Sequence, residues 1–167
     1  MLDLPSITGI VAVVGVIIGV VLTILELRNL VKTRQMDLLM NLYLTWGSED
    51  MKRAVGRFLA LEIKDYDDFV KKHGPVVSVE PERAQAWLDI DRIGWFFNGI
   101  GFLVHTGFAD IKRVDELIGY GVINVWEKMK PLVYGWRKQY NWPKSFGWLE
   151  YLANELKKRE QRGAKSG

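Results

Sequence analysis

Apolar residues follow two different patterns along this chain. Residues 7–25 read ITGIVAVVGVIIGVVLTIL, nineteen positions without a charge. From residue 26 onward, apolar positions recur every three or four residues among charged ones, which is the spacing of helices that bury one side. As a helix the first run is roughly 28 Å long, at about 1.5 Å per residue. That nearly matches the ~30 Å hydrocarbon core of a bilayer. β-Branched residues dominate the run, yet in lipid the backbone must satisfy its own hydrogen bonds, so helix geometry overrides strand propensity. Pro5 suits a first helical turn, with Asp3 and Ser6 as capping groups. The pattern therefore predicts one transmembrane anchor over residues 1–28.

A cleavable secretory signal has a basic amino end and a small-residue cleavage site after its apolar run. Here MLDLPS precedes the run and ELRNLVK comes after it, so the segment is expected to stay attached. Arg28, Lys32 and Arg34 lie beyond the span and no Lys or Arg precedes it. The positive-inside rule then predicts a single-pass protein of the inner membrane, amino terminus outside and the remainder cytoplasmic. Gly15 and Gly19 form a G-x-x-x-G pair that Thr23 continues, and small residues on one face let helices pack closely in lipid. This face is the candidate surface for self-association. The plainer explanation is that glycine is frequent in membrane helices.

No helix breaker occurs between Leu25 and Trp46, so residues 29–46 are expected to extend the helix as a neck, with Leu38, Leu39, Leu42 and Trp46 on one face. Gly47 ends it. Residues 47–160 then read as a run of helices, and at this length one domain is expected. Ser48 caps SEDMKRAVGRFLALEI, and Asp65 caps DYDDFVKKH, which Gly74-Pro75 stops. Pro81 opens a long helix that ends at Gly107, and another begins after Asp110. Gly119 and Gly121 are expected to break or bend that helix, and Pro131 to kink the chain beyond it. The last helix, FGWLEYLANELKKREQR, places Leu149, Leu152, Ala153 and Leu156 on one stripe. Only GPVVSVE, residues 74–80, has strand-like composition, and it is too short to found a sheet. The expected fold is all-α: one transmembrane helix continuing into a cytoplasmic helical bundle, with a disordered tail at 161–167.

The stretch GWFFNGIGFLVH, residues 94–105, resembles a membrane segment until it is measured. The uncharged run from Ile93 to Val104 makes roughly 18 Å of helix, too short to cross, and Asp91-Arg92 lies just before it. It is expected to be a buried central helix. Steps of three and four place Asp91, Gly94, Asn98, Gly101 and His105 on one face. That face is either a packing seam, in which glycines admit a neighbour, or a narrow polar pocket with Asp91, Asn98 and His105 as ligand-binding residues. A lone Asn and a lone His supply neither a nucleophile–base pair nor a metal set.

Other chemistry is thin. Cysteine is absent, which excludes disulfides, thiol nucleophiles and thiolate-bound metals. There is no G-x-S-x-G, H-E-x-x-H, Walker or EF-hand sequence, and the fragments GIG at 99–101 and GYG at 119–121 come after no strand. His73 sits near a helix end, where it suits the dipole. The cluster Asp65–Asp68 reads as a cap succeeded by first-turn carboxylates. Asp89 and Asp91, two apart on a helix, point about 200° from each other and cannot work as a catalytic pair. No metal, cofactor or reaction is expected.

The net charge of +3 hides an asymmetry, since the chain from Trp126 onward carries ten Lys and Arg against four Glu. So modest a total does not point to nucleic acid. Aromatics are interleaved with these cations, and Trp136, Arg137, Lys138, Tyr140, Trp142 and Lys144 are candidate contacts with the inner membrane interface. The alternative is that the aromatics fill the core while the cations solvate its surface.

Two segments, GVIIGVVLTILELRNLVKTRQMDLLMNLY at 15–43 and IGWFFNGIGFLVHTGFADIKRVDELIGYGVINVWEKMKPLV at 93–133, resemble an uncharacterised prokaryotic family of small proteins. The resemblance implies one amino-terminal span, a basic neck and a helical cytoplasmic part, and it brings no catalytic or binding residue across. The resulting expectation is a membrane-anchored interaction or scaffold module that self-associates, with the lipid bilayer and a protein at the cytoplasmic membrane face as partners. A small-ligand sensor using the seam near Asn98 is the alternative. An enzyme lacks a recognisable site.

Overall fold

The computed structural model describes residues 4–76 and 81–164, and is all-α, with six helices and no strand among the described residues. Helix α1 runs Leu4–Trp46, α2 Glu49–Ala60, α3 Tyr66–His73, α4 Pro81–His105, α5 Ile111–Tyr140 and α6 Gly147–Gly163. Residues 77–80, most of the strand-like stretch, lie outside the described residues.

The chain divides into two compact units, Met1–Met40 and Asn41–Gly167, and the division falls inside α1. In the first unit α1 is long and apolar enough to cross a membrane. Every residue from 13 to 34 is exposed, valines, isoleucines and leucines included. Further on, Leu39 is buried and Leu38, Leu42 and Trp46 are half-buried, the face that their spacing predicts.

The second unit is a helical bundle. Helices α2, α3 and α5 begin with side-chain caps. Ser48 Oγ accepts from the Met51 N–H at 3.3 Å, Asp65 Oδ1 from Asp68 at 2.8 Å, and Asp110 Oδ1 from Lys112 at 2.7 Å. Each satisfies an amide that the helix itself leaves free. Gly74 and Gly107 adopt φ of 76° and 77° just past α3 and α4, the left-handed region that glycine enters without a Cβ clash. Helix α4 packs against α2, α3, α5 and α6, and α6 packs also against α5. Ile90, Ile93, Phe97 and Ile100 of α4 are buried with Phe58, Phe69, Met129 and the stripe Leu149, Leu152, Ala153, Leu156 of α6. The expectation that α4 is enclosed on most sides needs qualifying, because Leu88, Arg92, Trp95, Gly99 and Phe102 form an exposed stripe along it.

The expected break at Gly119 and Gly121 does not occur. Helix α5 runs through both glycines and through Pro131. A glycine costs an isolated helix only about 1 kcal/mol, and α5 is held by its buried face, which includes Val114, Ile118, Val122, Val125, Trp126, Met129, Leu132 and Val133. Its glycines are used for close approach: a Cβ at Gly121 would lie 2.9 Å from the Trp46 indole, and one at Gly135 would overlap the Tyr66 side chain. Helix α6 continues through Gly163, beyond the expected end at 160, and residues 165–167 lie outside the described ones.

Candidate functional site

The face of α4 that carries Gly94, Asn98, Gly101 and His105 receives the start of α6. Phe146, the residue before α6, has φ 50° and offers no side-chain cap of its own. Asn98 supplies it instead: its Oδ1 accepts from the backbone N–H of Trp148 at 3.1 Å and of Leu149 at 3.2 Å. A side chain on one helix thus closes the amino end of another. The two glycines make room on either side. A Cβ at Gly94 would lie 2.7 Å from the Phe146 ring, and one at Gly101 would overlap the Trp148 carbonyl. His105 then lies against the Trp148 indole, with centroids 4.4 Å apart, and meets Tyr151 edge-on at 5.3 Å.

Asp91 belongs to the same α4 face by spacing but is not brought to α6. Its Oδ1 accepts from the Trp95 indole N–H at 2.8 Å. It lines a separate cleft of about 480 Å³, together with Trp95, Trp136, Trp142, Lys144 and Phe146. Desolvation raises the Asp91 carboxyl above the ordinary aspartate range, and the Trp95 hydrogen bond opposes that rise. Of the three residues singled out as ligand contacts, Asn98 and His105 therefore lie along α6, and Asp91 lies elsewhere.

The basic, aromatic stretch also divides. The Trp136 ring packs edge-on against Trp87 at 5.6 Å and Phe146 at 6.2 Å, and its indole N–H is buried without an acceptor among the described residues. Arg137 donates from Nη1 to Glu150 Oε2 at 2.7 Å and from Nε to the Ser145 carbonyl at 2.9 Å, which ties the linker to α5. Tyr140 is half-buried, while Lys138, Trp142 and Lys144 are exposed. In α1, nothing lies within 4 Å of a Cβ built on Gly15 or Gly19, and Thr23 Oγ1 donates to the Gly19 carbonyl at 2.8 Å.

One polar centre has no counterpart in the sequence pattern. Asp89 is 2% exposed and accepts from Arg57 Nε at 2.6 Å and Nη2 at 2.7 Å. Gln85 Nε2 adds a third bond at 2.9 Å. The Gln85–Asp89 pair is visible as an i, i+4 spacing. Arg57 arrives from α2, and no local signal announces it. The geometry agrees that Asp89 and Asp91 point apart, one to the core and one to solvent. A bidentate pair of this kind, with the Gln85 bond beside it, joins α2 to α4.

A helix apolar enough to cross a bilayer, attached to a small helical bundle, defines an all-α class of domain. The chain belongs to DUF4760, a domain of unknown function, whose sequence pattern matches residues 13–156. No curated protein and no solved structure matches it.

Proposed function

We propose that this protein is a membrane-anchored helical interaction module. In this reading residues 7–25 of α1 cross the cell membrane, and the bundle of residues 41–164 is held at the cytoplasmic face for a protein partner. The observation that carries it is the unbroken exposure of residues 13–34, most of them Val, Ile and Leu. An apolar surface of that extent is unstable in water and matches lipid. Arg28, Lys32 and Arg34 beyond the run support the orientation. The open flanks of Gly15 and Gly19 support self-association in the bilayer. A sensor built on the α4 seam has less support, because the Asn98 acceptor is engaged by two amides and His105 by two rings.

Fractionation of cells expressing the full chain tests the anchor. The protein should stay with membranes through an alkaline carbonate wash, and replacing Ile17 and Val21 by Lys should release it, since each charge costs about 2.5–3.5 kcal/mol at a helix centre. A wild-type chain that is freely soluble without detergent overturns the proposal. So does a carboxyl-terminal tag that protease reaches in intact cells.

A further inference from the structure

We propose that the cleft formed by Trp95 and Asp91 of α4, Trp136 of α5, and Trp142 and Phe146 of the α5–α6 linker binds a small organic ammonium cation. The cleft lies wholly within residues 91–146, so the inference does not depend on the membrane anchor.

Tryptophan burial gives the first reason. Trp87 and Trp126 are buried, whereas the two most exposed tryptophans, Trp95 at 58% and Trp142 at 56%, line this one concavity. Backbone conformation gives the second. Among the described residues only Asn141 and Phe146 combine a non-glycine side chain with positive φ, at 52° and 50°, and both line the same cleft. A bulky residue such as Phe enters the left-handed region only when its surroundings hold it there, and such positions concentrate at functional sites. The volume of about 480 Å³ lies within the range of small-molecule pockets.

The lining chooses the class of ligand. Aromatic faces carry negative potential and attract cations. The Asp91 carboxylate adds a full negative charge and has no ion-pair partner among the described residues; its polar contact is the Trp95 indole N–H. An anion would be repelled by that carboxylate. A neutral apolar ligand would strip water from it without compensation. A cation answers both the rings and the charge; partial burial raises the Asp91 carboxyl, and a cation beside it would favour the ionised form. Lys144 is the other charged group of the cleft. It is exposed and makes no ion pair with Asp91 among the described residues, so the carboxylate is open to a cation from solution.

Titration calorimetry on the full chain, in a maltoside detergent that carries no ammonium group, provides the test. The probes are choline, ethanolamine, and the uncharged isostere of choline in which carbon replaces nitrogen. Choline or ethanolamine should bind saturably at constant ionic strength, and the isostere at least about tenfold more weakly than choline. Asp91→Asn and Trp142→Ala should each weaken binding about tenfold while thermal unfolding stays unchanged, because both side chains are exposed. Lys144→Ala should bind as tightly as wild type or more tightly. Three results overturn the proposal: no saturable binding of either amine, equal binding by Asp91→Asn, or binding that emerges only in Lys144→Ala, which would mean that the chain's own lysine fills the cleft.

Discussion

Two stretches of this protein look alike in composition and are used in opposite ways. Residues 13–25 of α1 and 93–104 of α4 are both apolar helix with glycine every few positions. Around Gly15 and Gly19 there is open space, and every neighbouring side chain is exposed. Around Gly94 and Gly101 there are Phe146 and Trp148, packed where a Cβ would sit. The difference lies in what interrupts each run. The α1 stretch has no strongly polar side chain among its apolar residues and belongs to a helix long and apolar enough to cross a membrane. In α4, Asp91-Arg92 ends the apolar stretch early, and Asn98 within it finds two backbone donors on a neighbouring helix. Glycine content therefore says little until the partner of the glycine face is known.

The largest effect is expected where that contact is tightest. Gly101→Val would drive a branched side chain into the Trp148 backbone at the first turn of α6, and neither helix backbone can yield cheaply. A loss of at least about 3 kcal/mol is expected, the upper end for overpacking. Gly99→Val on the same helix has open space at its Cβ and should change stability by less than about 1 kcal/mol. Chemical unfolding of both variants checks the contrast. Equal losses at 99 and 101 would mean that the α4 glycines serve the helix itself and not the α6 contact.

Asn98 comes next. Asn98→Leu removes the acceptor for the Trp148 and Leu149 amides and should cost about 1–2 kcal/mol, the usual value of an N-cap. Asn98→Asp keeps an acceptor beside the positive end of the α6 dipole and should retain most of that stability. Thermal unfolding together with hydrogen exchange at Trp148 and Leu149 reads the effect. If Leu and Asp behave alike, capping is not the role of this residue.

The same contrast between local and distant partners explains how much of the fold is legible in the chain itself. Ser48 and Asp65 are legible as caps, and Asp110 as the residue before a helix, because oxygen and amide lie two or three residues apart. The α6 cap is not, since Asn98 is fifty residues away, although helical spacing does place it on the correct face. The pairing of buried Asp89 with the exposed Arg57 is illegible for the same reason: it joins helices from different parts of the chain. Gly119 and Gly121 read as breakers only because propensity is a local quantity, and the buried face of α5 outweighs it. Asp91 stands out in a polar seam and Trp142 in a basic aromatic stretch, and only the fold joins them in one cleft.

The smallest effect on folding should accompany a distinct effect on assembly. Gly15→Leu with Gly19→Leu places side chains where nothing stands within 4 Å, so the unfolding of the 41–164 bundle should move by less than about 0.5 kcal/mol. In lipid the same pair fills the G-x-x-x-G face of the span, which Thr23 continues with its hydroxyl turned back to the Gly19 carbonyl. Close helix approach at such a face depends on the missing side chains. The double variant should therefore lower the dimer fraction in a membrane or detergent association assay while the bundle unfolds as before. An unchanged dimer fraction would make Gly15 and Gly19 ordinary lipid-facing residues. The contrast with α4 would then be sharper still, because only the glycines of the bundle would have a partner at all.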